Sequence, residues 1–195
     1  MDSAALSIAA TAARLIAEDG LEYGPAKQQA LKILGLPTRT RMPDNPMLEE
    51  ALREHLALFC ADTQPGELQA LREHARSWME RLHHFRPHLG GAVWRGTATR
   101  HSDIYLQLFC DDSKSTEIEL INQGIDFQVQ SIRGFQGGAV DALSLHSWCD
   151  ALNEYVGVHL VIYDHDDLKG ALRPDAQGLN QRGDLSALRR LLENS

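Results

Sequence analysis

Residues 91–106, GAVWRGTATRHSDIYL, constrain the fold of this 195-residue chain more tightly than any other segment. Gly90 directly precedes it, Gly91 and Gly96 punctuate its first half, and residues 91–95 read as a short strand. Its second half runs into 103–110, DIYLQLFC, which alternates strictly. Ile104, Leu106 and Leu108 fall on one face, with Asp103, Tyr105 and Gln107 on the other. That period is a strand with one buried face.

The rest of the chain divides around this segment. Residues 3–18 are rich in Ala, Leu and Ile and stop at Asp19-Gly20, a helix-ending pair. Residues 25–34 form a short amphipathic helix ended by Gly35 and Pro37. A linker, 36–45, leads to a helix reaching Cys60, with Asn45 as its N-cap and Pro46 in the first turn. After Pro65, the residues Leu68, Leu71, Ala75, Trp78, Met79, Leu82 and Phe85 recur every three or four positions, a single buried helical stripe. Beyond 87, strands and helices alternate: a helix at 113–122, a strand at 125–132, a loop at 134–138, a helix at 139–155, a strand at 158–163 and a last helix, 185–193, capped by Asp184. Leu185, Leu188, Leu191 and Leu192 are expected to dock that helix on the sheet.

The formal charge of −8 is uneven: 10 Lys/Arg against 12 Asp/Glu in residues 1–86, and 9 against 15 in residues 87–195. An acidic second half argues against nucleic acid as a partner, because phosphate binding needs clustered cations. Cys60, Cys110 and Cys149 have no CxxC spacing, which fits free thiols in a reducing compartment. The first 20 residues carry an acid at position 2 and no basic stretch, so they read as a helix rather than a signal peptide. No apolar run approaches the ~20 residues that span a bilayer. A cytoplasmic protein without membrane association is expected.

The 91–106 segment resembles, without a gap, the signature of the nucleotidyltransferase superfamily, something close to GSVARGTATPDSDIDL. Gly91, Val93, Arg95, Gly96, Thr97, Ala98, Thr99, Ser102, Asp103, Ile104 and Leu106 match it. The resemblance covers about residues 80–165. It implies an α+β fold: a nucleotidyltransferase-like mixed sheet with flanking helices over residues 87–195, preceded by an N-terminal helical region, 1–86. In that family a strand leads into a Gly-rich turn whose backbone N–H groups hold a triphosphate. Two acids at i and i+2 on the next strand then bridge Mg²⁺, and a third acid on a later strand activates the attacking hydroxyl.

Carried onto this chain, the resemblance assigns nucleotide binding to Gly90, Gly91, Arg95, Gly96 and Ser102, and a catalytic, metal-binding carboxylate to Asp103. The implied ligands are Mg²⁺ and a nucleoside triphosphate. Two departures stand out. Ala92 replaces the phosphate-binding Ser, and Tyr105 replaces the second acid. A neutral phenol is a poor ligand for an ion that wants hard anionic oxygens. For the third acid the sequence leaves two alternatives: Asp126, in IDFQV, or the GVHLVIYD strand, where His159 would stand in its place. Asp111 is a second candidate metal ligand, although Asp111 and Asp112 also suit the cap of the helix at 113. His101 would assist beside Asp103. Trp94, where the family has a small residue, could fill the space of a nucleotide.

Other groups read as structural. His83 and His84 are adjacent on a helix and point apart, and with His88 they suit a polar helix end. Asp164, Asp166 and Asp167 lack the Gly and distal Glu of a Ca²⁺ loop. Three functions are open at this point. The first is a degenerate, non-catalytic member that binds a small molecule or regulates. The second is an active Mg²⁺-dependent nucleotidyltransferase with a rearranged acidic site. The third is a scaffold for protein partners.

Overall fold

The computed structural model describes residues 3–175 and 178–194. It is α+β, and the chain separates into two compact units. The first comprises the chain up to Glu67 together with Thr97–His101. The second comprises Leu68–Gly96 and the chain from Ser102 onward. The sequence expectation set a boundary at 86/87; here Leu68–Arg86 group with the second unit and five residues of the signature segment, Thr97–His101, with the first.

In the first unit, α1 (Ser3–Asp19), α2 (Tyr23–Ile33) and α3 (Asn45–Phe59) pack around Ile8, Leu15, Leu31, Leu48, Leu52 and Leu56. Ala12, Ala13, Ala26 and Ala30 join that core, and their small side chains let the helices approach closely. Gly20 ends α1 with φ +67°, a conformation that costs glycine nothing. The N-cap of α3 is Asp44, one residue before the expected Asn45. Its Oδ1 accepts from the Met47 N–H at 2.9 Å, while Asn45 and Pro46 form the first turn.

Thr97–His101 is tied into the same unit through named bonds. Gln64 Nε2 donates to the Ala98 carbonyl (2.8 Å), and Glu67 accepts from the Arg100 N–H (3.0 Å). The buried Glu49 carboxylate accepts from Thr97 Oγ1 at 3.1 Å and from the Tyr23 hydroxyl.

In the second unit a five-stranded mixed sheet runs in the order β1-β2-β5-β4-β3. The strands are β1 (His88–Gly90), β2 (Ile104–Cys110), β3 (Gln128–Arg133), β4 (Ala139–Cys149) and β5 (Glu154–Asp164). β2 and β5 are parallel, and every other pairing is antiparallel.

One face buries Leu89, Ile104, Leu106, Leu108, Leu143, Leu145, Val158 and Leu160. The helix α4 (Gln64–Arg81) covers it from Leu71 onward: Trp78 Nε1 donates to Ser147 Oγ at 3.0 Å, and His74 Nε2 meets the same oxygen at 2.8 Å. The other face is apolar only in part. There Phe109, Ala142, Val161 and Tyr163 pack with Ala171 of α7 (Leu168–Ala171).

Two expected elements have the wrong type. Residues 91–95 are a helix, α5 (Gly91–Arg95), and the strand is the preceding triplet, β1. Gly91 adopts φ +67° and turns the chain out of the sheet before another strand residue can follow. Residues 139–155 are not a helix but β4, a turn and the start of β5. Asn153 sits in the left-handed region (φ 54°) and reverses the chain, so that Leu143 and Leu145 reach the core by alternation.

The expected helix at 113–122 is present as α6 (Ser113–Asn122), capped by Asp112, whose Oδ1 accepts from the Lys114 N–H. The last helix, α8 (Leu185–Glu193), is capped by Asp184 as expected. Of its four leucines only Leu188 is fully buried.

Candidate functional site

The sheet register sets one row of residues side by side on the partly open face: Gly90, Tyr105, His159, Ser144 and Gln128, one from each strand. One step toward the N-terminal ends of β2 and β5 lie Asp103, Gly157 and His146. Pleating alone puts these side chains on a common surface.

The centre of the row is His159. Its Nε2 is 2.9 Å from Asp103 Oδ2, and its Nδ1 is 2.8 Å from Ser144 Oγ. The Tyr105 ring stacks on the imidazole with centroids 4.7 Å apart and planes 23° from parallel. The side chains of His159 and Asp103 are 24% and 45% exposed, so the group is ordered by its neighbours yet open to solvent.

The Asp103 carboxyl is held below its ordinary value, chiefly by the hydrogen bond from His159. Burial opposes this, and the Gly157 N–H and the nearby histidines reinforce it. An ionised Asp103 accepts from Nε2–H. In the neutral ring that leaves Nδ1 as an acceptor for the Ser144 hydroxyl.

Gly157 is required where it stands. A Cβ there would lie 2.4 Å from Asp103 Oδ1 and 2.6 Å from Cγ. Gly91 is similarly close to the row, since a Cβ on it would sit 3.4 Å from Tyr105 Cδ2. The glycine turn is therefore lined by a phenol ring where the signature has a carboxylate.

The residues singled out in the sequence are dispersed. Gly90 and Gly91 stand at the start of α5, but Arg95 and Gly96 stand at its other end, Gly96 closing the helix with φ +87°. Ser102 lies in the connection before β2. His101 belongs to the helical unit, where its Cβ and carbonyl crowd Gly20; a Cβ on that glycine would meet them at 2.9 and 2.7 Å. Trp94 packs on the segment before α8. Its Nε1 donates to the Asn180 carbonyl at 2.7 Å, and its ring occupies the space beside Gly183, where a Cβ would come within 2.1 Å.

Neither expected partner acid joins Asp103. Asp111 follows the far end of β2, eight residues away, which at strand rise is roughly 26 Å. Asp126 precedes β3, three strand spacings from β2, or roughly 14 Å across the sheet. Among the two alternatives for the third position, the strand next to β2 is β5, which brings His159.

These donors do not suit Mg²⁺. The row offers one carboxylate, an imidazole, a phenol and a hydroxyl, whereas that ion is held by carboxylates and other hard oxygens in octahedral array. Among the described residues no three His, Cys, Asp or Glu side chains converge as a metal site.

Ser144 and Gln128 are the members of the row that the sequence does not single out; the segment around Ser144 carries a helical rather than an alternating look. A cavity of about 290 Å³ lies elsewhere in this unit, lined by His88, Arg182, Asp184, Arg190 and neighbours. Neither Asp103, His159 nor Ser144 lines it.

No helix is long and apolar enough to cross a membrane among the described residues. Comparison with family models, with curated proteins and with solved structures finds no match to this chain.

Proposed function

We propose that this protein is a degenerate member of the nucleotidyltransferase superfamily that has lost nucleotidyl transfer and serves as a binding or regulatory module. The order of parts supports the family reading: a short strand, a glycine turn, a short helix, then a strand bearing Asp103, with the third position on the adjacent β5. The loss of transfer rests on a single observation. Asp103 is paired with His159, on whose ring Tyr105 stacks, with no second carboxylate in the row. Phosphoryl transfer relies almost wholly on positioning and on neutralising charge with metal ions. A single carboxylate, already paired with an imidazole, lacks the means.

The binding reading predicts that a nucleoside triphosphate raises the melting temperature equally with Mg²⁺ and with a chelator. At a hundred times the dissociation constant the gain is about 2.7 kcal/mol. A parallel assay with labelled nucleotide is expected to show no transfer. Mg²⁺-dependent transfer that disappears in Asp103→Asn would restore the catalytic reading. The absence of any nucleotide shift at millimolar concentration would remove nucleotide binding.

A further inference from the structure

Ser144, His159 and Asp103 form a nucleophile, a base and an orienting acid in hydrogen-bond sequence, and we infer that Ser144 is the nucleophile of an acyl-transfer site acting on activated esters. The inference goes beyond the binding reading and does not depend on it, since an ester can be attacked whether or not nucleotides bind.

Three observations carry it. Both bonds are short enough for proton transfer, at 2.8 Å from Ser144 Oγ to Nδ1 and 2.9 Å from Nε2 to Asp103. The Asp103 carboxylate can only accept, so it fixes the Nε2–H tautomer and aims the Nδ1 lone pair at the serine hydroxyl. The imidazole is clamped from a third direction by Tyr105, and Asp103 is seated by the absence of a side chain at Gly157. An exposed cross-strand bridge that only stabilised the sheet would need neither the clamp nor that clearance.

The chemistry balances with these groups alone. Ser144 Oγ attacks the carbonyl carbon while its proton passes to His159 Nδ1, and Asp103 stabilises the imidazolium. Collapse expels the alcohol, which takes that proton as it leaves, and the acyl group stays on Ser144. Water then attacks with the same base, releasing the acid and restoring the hydroxyl.

The substrate class follows from what surrounds the serine. β4 is paired with β5 over Asp141–Cys149 and with β3 as far as Ser144, so most backbone N–H groups around the serine are taken up by the ladder and leave little for an oxyanion hole. Stabilisation falls to side chains, with the exposed Gln128 directly opposite Ser144 and His146 two residues along the same face. Weak oxyanion support selects acyl donors with good leaving groups, such as aryl esters or thioesters, over amides.

The test is labelling of the full chain with a fluorophosphonate, in which Ser144 Oγ displaces fluoride, alongside hydrolysis of p-nitrophenyl acetate. One adduct is expected, mapped by peptide mass spectrometry to Ser144. Ser144→Ala should remain unlabelled, and His159→Gln should label about a hundredfold more slowly or worse. Should His159→Gln fail to fold, Asp103→Asn serves in its place, with slowing of about tenfold or more expected. Ser131→Ala, on β3 and the opposite face, should label as the parent does. A folded parent protein without an adduct at Ser144, or equal rates in the parent and the base variant, overturns the inference. Neither result bears on nucleotide binding.

Discussion

Gly157 and Asp103 are fitted to each other: the carboxylate occupies the volume that any side chain on Gly157 would need, with Oδ1 2.4 Å from the missing Cβ. Gly157→Ala therefore forces the acid away from His159 or bends β5. The expected cost is about 1–3 kcal/mol, the usual range for an overpacked site. Urea unfolding checks it, and the imidazole proton resonances of His159 report whether the Asp103 bond has gone. An alanine variant with unchanged stability and unchanged resonances would refute the fit.

Acid should weaken the protein partly through Asp103. Its folded carboxyl lies below the ordinary value of about 3.9, because the His159 bond favours the ionised form. A depressed value contributes stability above the unfolded value, and that contribution drains away as pH falls through the folded one. The parent is thus expected to lose more stability than Asp103→Asn as pH drops below about 4. Urea midpoints for both proteins across pH decide this. Parallel curves would show that the bond adds nothing.

Ser147 supports the buried side of the sheet. Its Oγ accepts from Trp78 Nε1, and Trp78 is only 3% exposed. Ser147→Ala leaves that N–H without its acceptor in an apolar setting, at an expected cost of about 1–3 kcal/mol. A thermal melt that does not move would mean that the indole finds another acceptor.

Gly183 holds the approach to α8 against Trp94, and its backbone exchanges two hydrogen bonds with Leu89. Gly183→Ala should expel either the indole or the segment. Red-shifted tryptophan emission and faster amide exchange at Leu89 are the expected signs. Unaltered emission and exchange would count against this packing.

The alternating strand at 103–110 was legible in the sequence because burial on one face imposes period two. So were the helix at 113–122 and the Asp184 cap, whose signals are local. Residues 139–155 were not, because Ala, Leu and Ser alternate there with His, Asp and Trp in a mixture that also suits a helix. That error hid Ser144, which gains meaning only from its cross-strand position beside His159. Asp103 and Tyr105 stood out from their spacing, and His159 stood out as one alternative. Which of Asp126 and the 157–164 segment neighbours β2 is a question of strand order, and strand order is a long-range property that no local pattern encodes.

The return of Thr97–His101 to the helical unit has a consequence for anyone who would cut this chain. Thr97 and Thr99 are 2% and 4% exposed, and their hydroxyls donate to Glu49 and to the Ala17 carbonyl. A fragment beginning at Leu68 would keep both threonines and lose both acceptors, baring a seam that the complete polypeptide keeps dry. The two units are interleaved along the sequence, so no single scission frees either one whole.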